Sequence, residues 1–167
     1  MKIPGRRLLQ MLLLCSLLLA FGLTASADLT REQALNVARK QVPSSYRLTR
    51  ADHEAEDMEW EFDFLSKNSR IQFEVTVNEY TSKVIEVERT NLFDLGGRSV
   101  DITPAKAKKA VKAKFKKARI TAVRIDTDTE PDGKRYVYEV KFRIGSTRGE
   151  ADVNAQTGKL IKWTLDF

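Results

Sequence analysis

Apolar residues in this chain follow two periods. Helical spacing appears twice, at Ala34, Val37, Ala38 and Val42, and again at Ala107, Ala110, Val111 and Phe115. Each run opens on a threonine. Thr30 is followed by Gln33 at the spacing of a capping box, and Thr103 is followed by Pro104, which fits the first helical position. Each run predicts one amphipathic helix, the first stopped by Pro43. Elsewhere the period is two. Glu59 to Phe64 alternates acids with aromatics, and Tyr136, Tyr138, Val140 and Phe142 alternate with polar residues. Weaker strands are predicted at 46–52 and 120–126, with turn chemistry at Lys67-Asn68-Ser69-Arg70, Pro131-Asp132-Gly133 and Gly145-Ser146-Thr147.

One hairpin occurs twice. Glu74-Val75-Thr76-Val77-Asn78 leads through a five-residue turn to Val84-Ile85, and Glu150-Ala151-Asp152-Val153-Asn154 leads through another to Leu160-Ile161. The offset between Asn78 and Asn154 is 76 residues. Glu, Asn, Thr, Lys and Ile recur at matched positions. The second turn carries Gly158, which takes a positive φ at little cost, where the first carries Ser82. The first turn is thus expected to be differently shaped or strained. The repeat predicts an α+β fold of two tandem units, each one N-terminal helix packed on a four-stranded antiparallel sheet. The units are placed at residues 28–89 and 101–167, joined by a linker at 90–100 that contains Gly96-Gly97.

The N-terminus changes the picture of where the chain works. Lys2, Arg6 and Arg7 precede an apolar run from Leu8 to Leu23, and Ala25-Ser26-Ala27 follows. This is the layout of a secretory signal peptide over residues 1–27, with Ala25 and Ala27 as the cleavage residues, and it predicts an exported protein, periplasmic or secreted. Cys15 is the single cysteine and lies within that run, so the mature chain would have no disulfide.

Charge is unevenly distributed. From Asp28 to Arg98 there are 10 basic and 14 acidic residues, a net of −4; from Ser99 to Phe167 there are 16 and 9, a net of +7. Seven lysines between Lys106 and Lys117 surround the second predicted helix. Lys106, Lys109, Lys112 and Lys116 fall along one side of it and form the candidate partner-binding residues. Three readings fit: an ordinary solvated helix face, attraction to the acidic run of the first unit, or a surface for an acidic protein or an envelope polyanion. Nucleic acid is not expected, because the aromatics fall on strand faces and do not interleave with the lysines.

Catalytic chemistry finds little to build on. His53 is the only histidine, set in an acidic stretch, and no nucleophile elbow, phosphate loop or Cys/His zinc spacing is present. Asp128 to Glu139 approaches the spacing of an EF-hand calcium loop, but its third position is Glu130, Lys134 and Arg135 intrude, and its flanks read as strands. A polar hairpin turn is the expectation there. No catalytic residue, metal or cofactor is predicted.

The Leu29-Thr30 and Ile102-Thr103 helix starts, Asp126-Thr127-Asp128 through Asp132-Gly133, Tyr138-Glu139-Val140, and Val153 through Leu160 resemble the PepSY family. The first copy departs from the pattern, with Trp60-Glu61-Phe62 in place of Tyr-Glu-Val and Ser82 in place of the turn glycine. The resemblance implies a tandem pair of exported, non-catalytic modules. It further implies a protein partner, with inhibition or regulation of a cell-envelope or secreted peptidase as the role. The alternative is a basic envelope protein that holds anionic lipid or polysaccharide through the second helix. Apart from the signal peptide, membrane contact would come only from such a surface.

Overall fold

A computed structural model describes residues 29–167. The expected signal peptide, with Ala25 and Ala27, lies outside the described residues. The chain runs α1 (Arg31–Ala38), a 3-10 turn (Arg39–Gln41), β1 (Arg47–Glu54), β2 (Glu59–Leu65), β3 (Ile71–Asn78), β4 (Lys83–Asn91), α2 (Pro104–Lys114), β5 (Arg119–Glu130), β6 (Gly133–Ile144), β7 (Thr147–Asn154) and β8 (Leu160–Asp166).

The local signals explain the starts and stops. Thr30 Oγ1 accepts from the Gln33 amide, and the Gln33 side chain accepts from the Thr30 amide at 2.9 Å, closing the capping box. Thr103 caps α2 through the Lys106 amide. In the repeated hairpin both asparagines organise the turn. Asn78 Oδ1 accepts from the Thr81 amide, and Asn154 Oδ1 accepts from the amides of Gln156 and Thr157, all at 2.9 Å. Ser82 adopts φ 55°, the left-handed conformation that Gly158 adopts at φ 78°. The first turn therefore keeps the backbone of the second and carries the steric strain of a side chain there.

The eight strands form one antiparallel sheet in the order β1-β2-β3-β4-β8-β7-β6-β5. This corrects the expectation of two separate four-stranded sheets. Each half does run helix and then a four-stranded meander, but Glu86 to Thr90 of β4 pairs with Lys162 to Asp166 of β8 and fuses the halves. The physical reason is edge disposal. β4 and β8 would otherwise each leave a row of unpaired backbone groups, and pairing them removes two edges at once. A half of about 70 residues also buries too little apolar surface to be comfortable alone.

Both helices lie on one face, α1 over β2 to β4 and α2 over β5 to β7. The register lines up the core in transverse rows. One row passes through Leu48, Phe64, Phe73, Arg89, Trp163, Ala151, Val140 and Val123. Trp163 closes the seam between the halves. Its ring meets Phe73 edge-on at 5.8 Å and Phe115 edge-on at 5.5 Å. Arg89 sits half-buried in the same row, donates from Nη1 to the Ile161 carbonyl at 3.1 Å, and is pulled below the usual arginine range by desolvation. At Gly149 a Cβ would lie 2.4 Å from the Phe142 ring, so that ring needs a glycine beneath it.

The 92–101 connection is pinned to the second half. Gly97 exchanges two backbone hydrogen bonds with Tyr136, the amides of Asp101 and Ile102 donate to the Ala155 carbonyl, and Asn154 Nδ2 donates to Asp94 at 2.7 Å. That last bond assigns a reason to the asparagine: its amide gives an acceptor to the turn and a donor to Asp94, which a carboxylate could not do.

Candidate partner-binding surface

The structure places Lys106, Lys109 and Lys112 on α2, with Ala107 and Val111 buried beneath them and Ala110 and Phe115 half-buried. Lys116 is a correction. The helix ends at Lys114 with Phe115 as its C-cap (φ −115°, ψ 82°), and Lys116 lies in the turn that follows. The aromatic ring of Phe115 breaks away from the stripe to stack on Phe142 at 4.8 Å, which ends the helix one residue early. All seven lysines from Lys106 to Lys117 are exposed, and among the described residues none has a carboxylate within salt-bridge distance. Lys114 instead places its ammonium 5.5 Å from the Trp163 ring centre. Lysines in the last turn suit the helix dipole, whereas Lys106 in the first turn opposes it.

The acidic partner that the charge asymmetry suggested lies elsewhere. Period-2 alternation sends the acids of β2 away from the helices, onto the open face of the sheet. One row there runs Arg50, Asp63, Glu74, Glu88, Thr164, Glu150, Lys141. Three carboxylates in directly opposed positions repel. Arg50 relieves one end, donating to Asp63 at 2.7 Å, Asp52 at 2.7 Å and Glu61 at 2.9 Å. Lys141 lies 3.1 Å from Glu150 at the other end, and Lys162 reaches Glu88 at 2.6 Å in the middle. The relief is incomplete. Glu74 is held above the usual carboxylate range by desolvation and by Asp63, Glu61 and Glu88, and Glu86 by desolvation and Asp166. Asp152 is pushed up to about 6, chiefly by burial and then by Glu150. Glu139 is the opposite case, held low by the hydrogen bond from Arg124. The molecule is thus polarised across the sheet: free lysines on the helix layer, crowded carboxylates on the open face. The sequence puts the β2 acids on one solvated strand face, but does not show the row that carries them across the seam. The signal for that face was the strict alternation in Glu59 to Phe64, which fixes two faces, and no signal fixed the seam that joins them.

The remaining sequence candidates resolve as follows. His53 is exposed, stacks on Trp60 at 4.5 Å, and its Nε2 lies 2.8 Å from Glu79. Asp128 to Glu139 spans the β5–β6 hairpin, where Asp132 binds Arg135 and Arg98, the latter at 2.6 Å. Its flanks are strands, as expected, and Glu139 is engaged by Arg124. No group of three metal-ligating side chains comes together among the described residues. No helix among them is long and apolar enough to cross a membrane.

Residues 101–164 match the family described as peptidase propeptide and YPEB domain, PepSY. Over that stretch, less than half of its length, the chain is similar to PepSY domains. The matched segment takes in α2, its lysines and β5 to β8 as far as Thr164. PepSY domains are generally propeptide or regulatory modules rather than catalysts, and they generally interact with peptidases or other proteins. Among solved structures, the Bacillus megaterium YpeB C-terminal domain is similar, at 15% identity and a TM-score of 0.35 over 83% of this chain. The chain spans 66% of that neighbour's length. A candidate lipoprotein of Clostridium difficile 630 is similar at 12% identity and a TM-score of 0.33, over 86% of this chain and 98% of its own. No curated protein matches the chain.

Proposed function

We propose that this chain is an exported, non-catalytic binding module that inhibits or regulates a secreted or cell-envelope peptidase, and that it docks through the lysine face of α2. The observation that carries the reading is the PepSY match over residues 101–164, which contains that helix. Seven exposed lysines without carboxylate partners among the described residues are a source of charge still available to an acidic surface. In the same reading residues 1–27 direct export and are removed after Ala27, residues 28–89 are a second, diverged PepSY-like unit, and 90–100 is the link. The matched helix-plus-meander order of the two halves and their shared asparagine turns support that duplication.

The test uses the tagged chain as bait in its native envelope fraction, followed by binding of the captured peptidase to a variant with Lys106, Lys109, Lys112 and Lys116 all changed to Gln. Lys106, Lys109 and Lys112 are like charges on one helix and Lys116 lies in the exposed turn after it, so the variant should fold about as well as the parent. Its association rate should fall, and the salt dependence of binding should flatten. An unchanged affinity and salt slope would return these lysines to an ordinary solvated face. The same seven lysines favour a second reading, in which α2 holds anionic lipid or polysaccharide. Salt-sensitive binding to vesicles rich in anionic lipid, with no peptidase captured, would select it.

A further inference from the structure

Among the described strands the sheet has two free edges, β1 and β5, and the two are unlike. β1 has eight residues, a register break between Leu48 and Arg50, and no large apolar side chain that is exposed. β5 has twelve residues. Beyond its own register break, between Ile120 and Ala122, it runs regularly to Glu130 against β6 alone among the described strands. It also exposes Ile125 by 47%. A long regular edge with an exposed apolar residue is a template for another strand.

We infer that this edge pairs with the β5 of a second copy, antiparallel, with Ile125 facing Ile125 on a two-fold axis. The register follows from the charges. Pairing about Ile125 sets Arg124 opposite Asp126 twice on the open face, sets Val123 opposite Thr127 twice on the helix face, and joins the two exposed isoleucines at the centre. A shift by one residue either way destroys this. About Asp126 two carboxylates face each other on the axis, and about Arg124 two guanidinium groups do. Pairing about Thr127 opposes Asp126 to Asp128 twice. Directly opposed like charges destabilise a sheet and opposed unlike charges stabilise it, so the registers centred on Arg124, Asp126 and Thr127 are disfavoured, and only the one about Ile125 joins the exposed isoleucines with two opposite-charge pairs. Arg124 already bonds Glu139 of its own chain, yet its side chain is 66% exposed and a guanidinium has donors to spare. The contact is isologous and closes at two copies, giving a continuous sixteen-stranded sheet rather than a fibre.

Seven paired residues make a small interface, so the dimer is a weak, transient one. Sedimentation velocity on the protein expressed from its full-length sequence, over about 5 to 500 μM, should show a monomer–dimer exchange. Ile125→Lys should raise the dissociation constant at least about tenfold, since it sets two ammonium groups on the axis and removes the apolar contact. Cysteine trapping reads the register. In a Cys15→Ser background, Ile125→Cys should form a disulfide-linked dimer on mild oxidation, because directly opposed Cβ atoms lie about 5 Å apart, whereas Thr127→Cys should not. A chain that stays monomeric over the range overturns the proposal. So does equal trapping at the two positions, or an Ile125→Lys protein that dimerises like the parent. Should that variant fail to fold, the trapping ratio alone decides.

Discussion

Replacing Trp163 with alanine tests whether the two halves are one cooperative unit. Trp163 is only 7% exposed and sits on β8, the strand that joins the second half to β4. Its ring touches Phe73 of the first half and Phe115 at the end of α2, and carries Lys114 over one face. Loss of a buried large aromatic costs about 3 to 5 kcal/mol. The two edge-on contacts place this one in the upper part of that range, since aromatic pairs add about 0.5 to 1.5 kcal/mol beyond area. Because Trp163 faces Arg89 across the seam, the variant also leaves a half-buried guanidinium beside a cavity. Urea unfolding followed by far-ultraviolet circular dichroism and by tryptophan fluorescence, which in the variant comes from Trp60 alone, should give coincident transitions in the parent, shifted together in the variant. A loss below about 1 kcal/mol would refute the placement of Trp163 in the core. A transition that splits, with the Trp60 signal unmoved, would refute the claim that β4 and β8 make one unit.

Other expectations are smaller and cheaper to check. Ser82→Gly should stabilise the chain by up to about 1 kcal/mol in thermal unfolding, because it relieves a left-handed side chain. Asn154→Asp should destabilise it at neutral pH, since it removes the donor to Asp94 and places a second carboxylate there; Asn154→Asp assayed at low pH should recover part of the loss. Asp152 gives a pH signature. Its folded pKa of about 6 lies above that of the unfolded chain, so the folded state binds the proton more tightly and stability falls as pH rises from about 4 to about 6. Asp152→Asn should flatten that part of the profile and stabilise the chain at pH 7 by about 1 to 2 kcal/mol after allowance for solvent screening, measured as the urea midpoint against pH.

Local patterns told most of the fold and little of its assembly. The threonine caps, the two helical stripes and the strand alternation each depend on residues within a few positions, and they placed both helices and all eight strands, though not the 3-10 turn at Arg39–Gln41 or the length of β5. The seam depends on Glu86 to Thr90 meeting Lys162 to Asp166, about 76 residues away, and nothing local distinguishes a strand that pairs with its own meander from one that pairs with the next. Lys116 shows the limit within one element. Its spacing from Lys112 is helical, but the stacking of Phe115 on Phe142 is a tertiary contact and it ended the helix first. The lysines of the candidate site were legible as a group, while their freedom from carboxylates was not, because it rests on which face of the sheet each acid of β2 takes.

The polarity of the molecule follows from that same alternation, and it constrains how the protein can be used. In sequence the acids belong to the first half and the lysines to the second, which invites a picture of two oppositely charged units holding each other. The sheet forbids it. Acids at every second position of β2 must point away from α1 if Trp60, Phe62 and Phe64 are to be buried, and α2 lies on the same side of the sheet as α1. The lysines and the carboxylate row are then separated by the full thickness of a fused sheet with an apolar layer on one side. Attraction between them is weak at that separation in salt, so neither face neutralises the other. The carboxylate row is only partly relieved by Arg50, Lys141 and Lys162, while among the described residues the lysine face has no carboxylate partner. A partner that brings negative charge therefore gains on the helix layer without breaking an existing ion pair, whereas a cationic partner on the open face must first compete with three. That asymmetry is why the helix layer is the face proposed for binding.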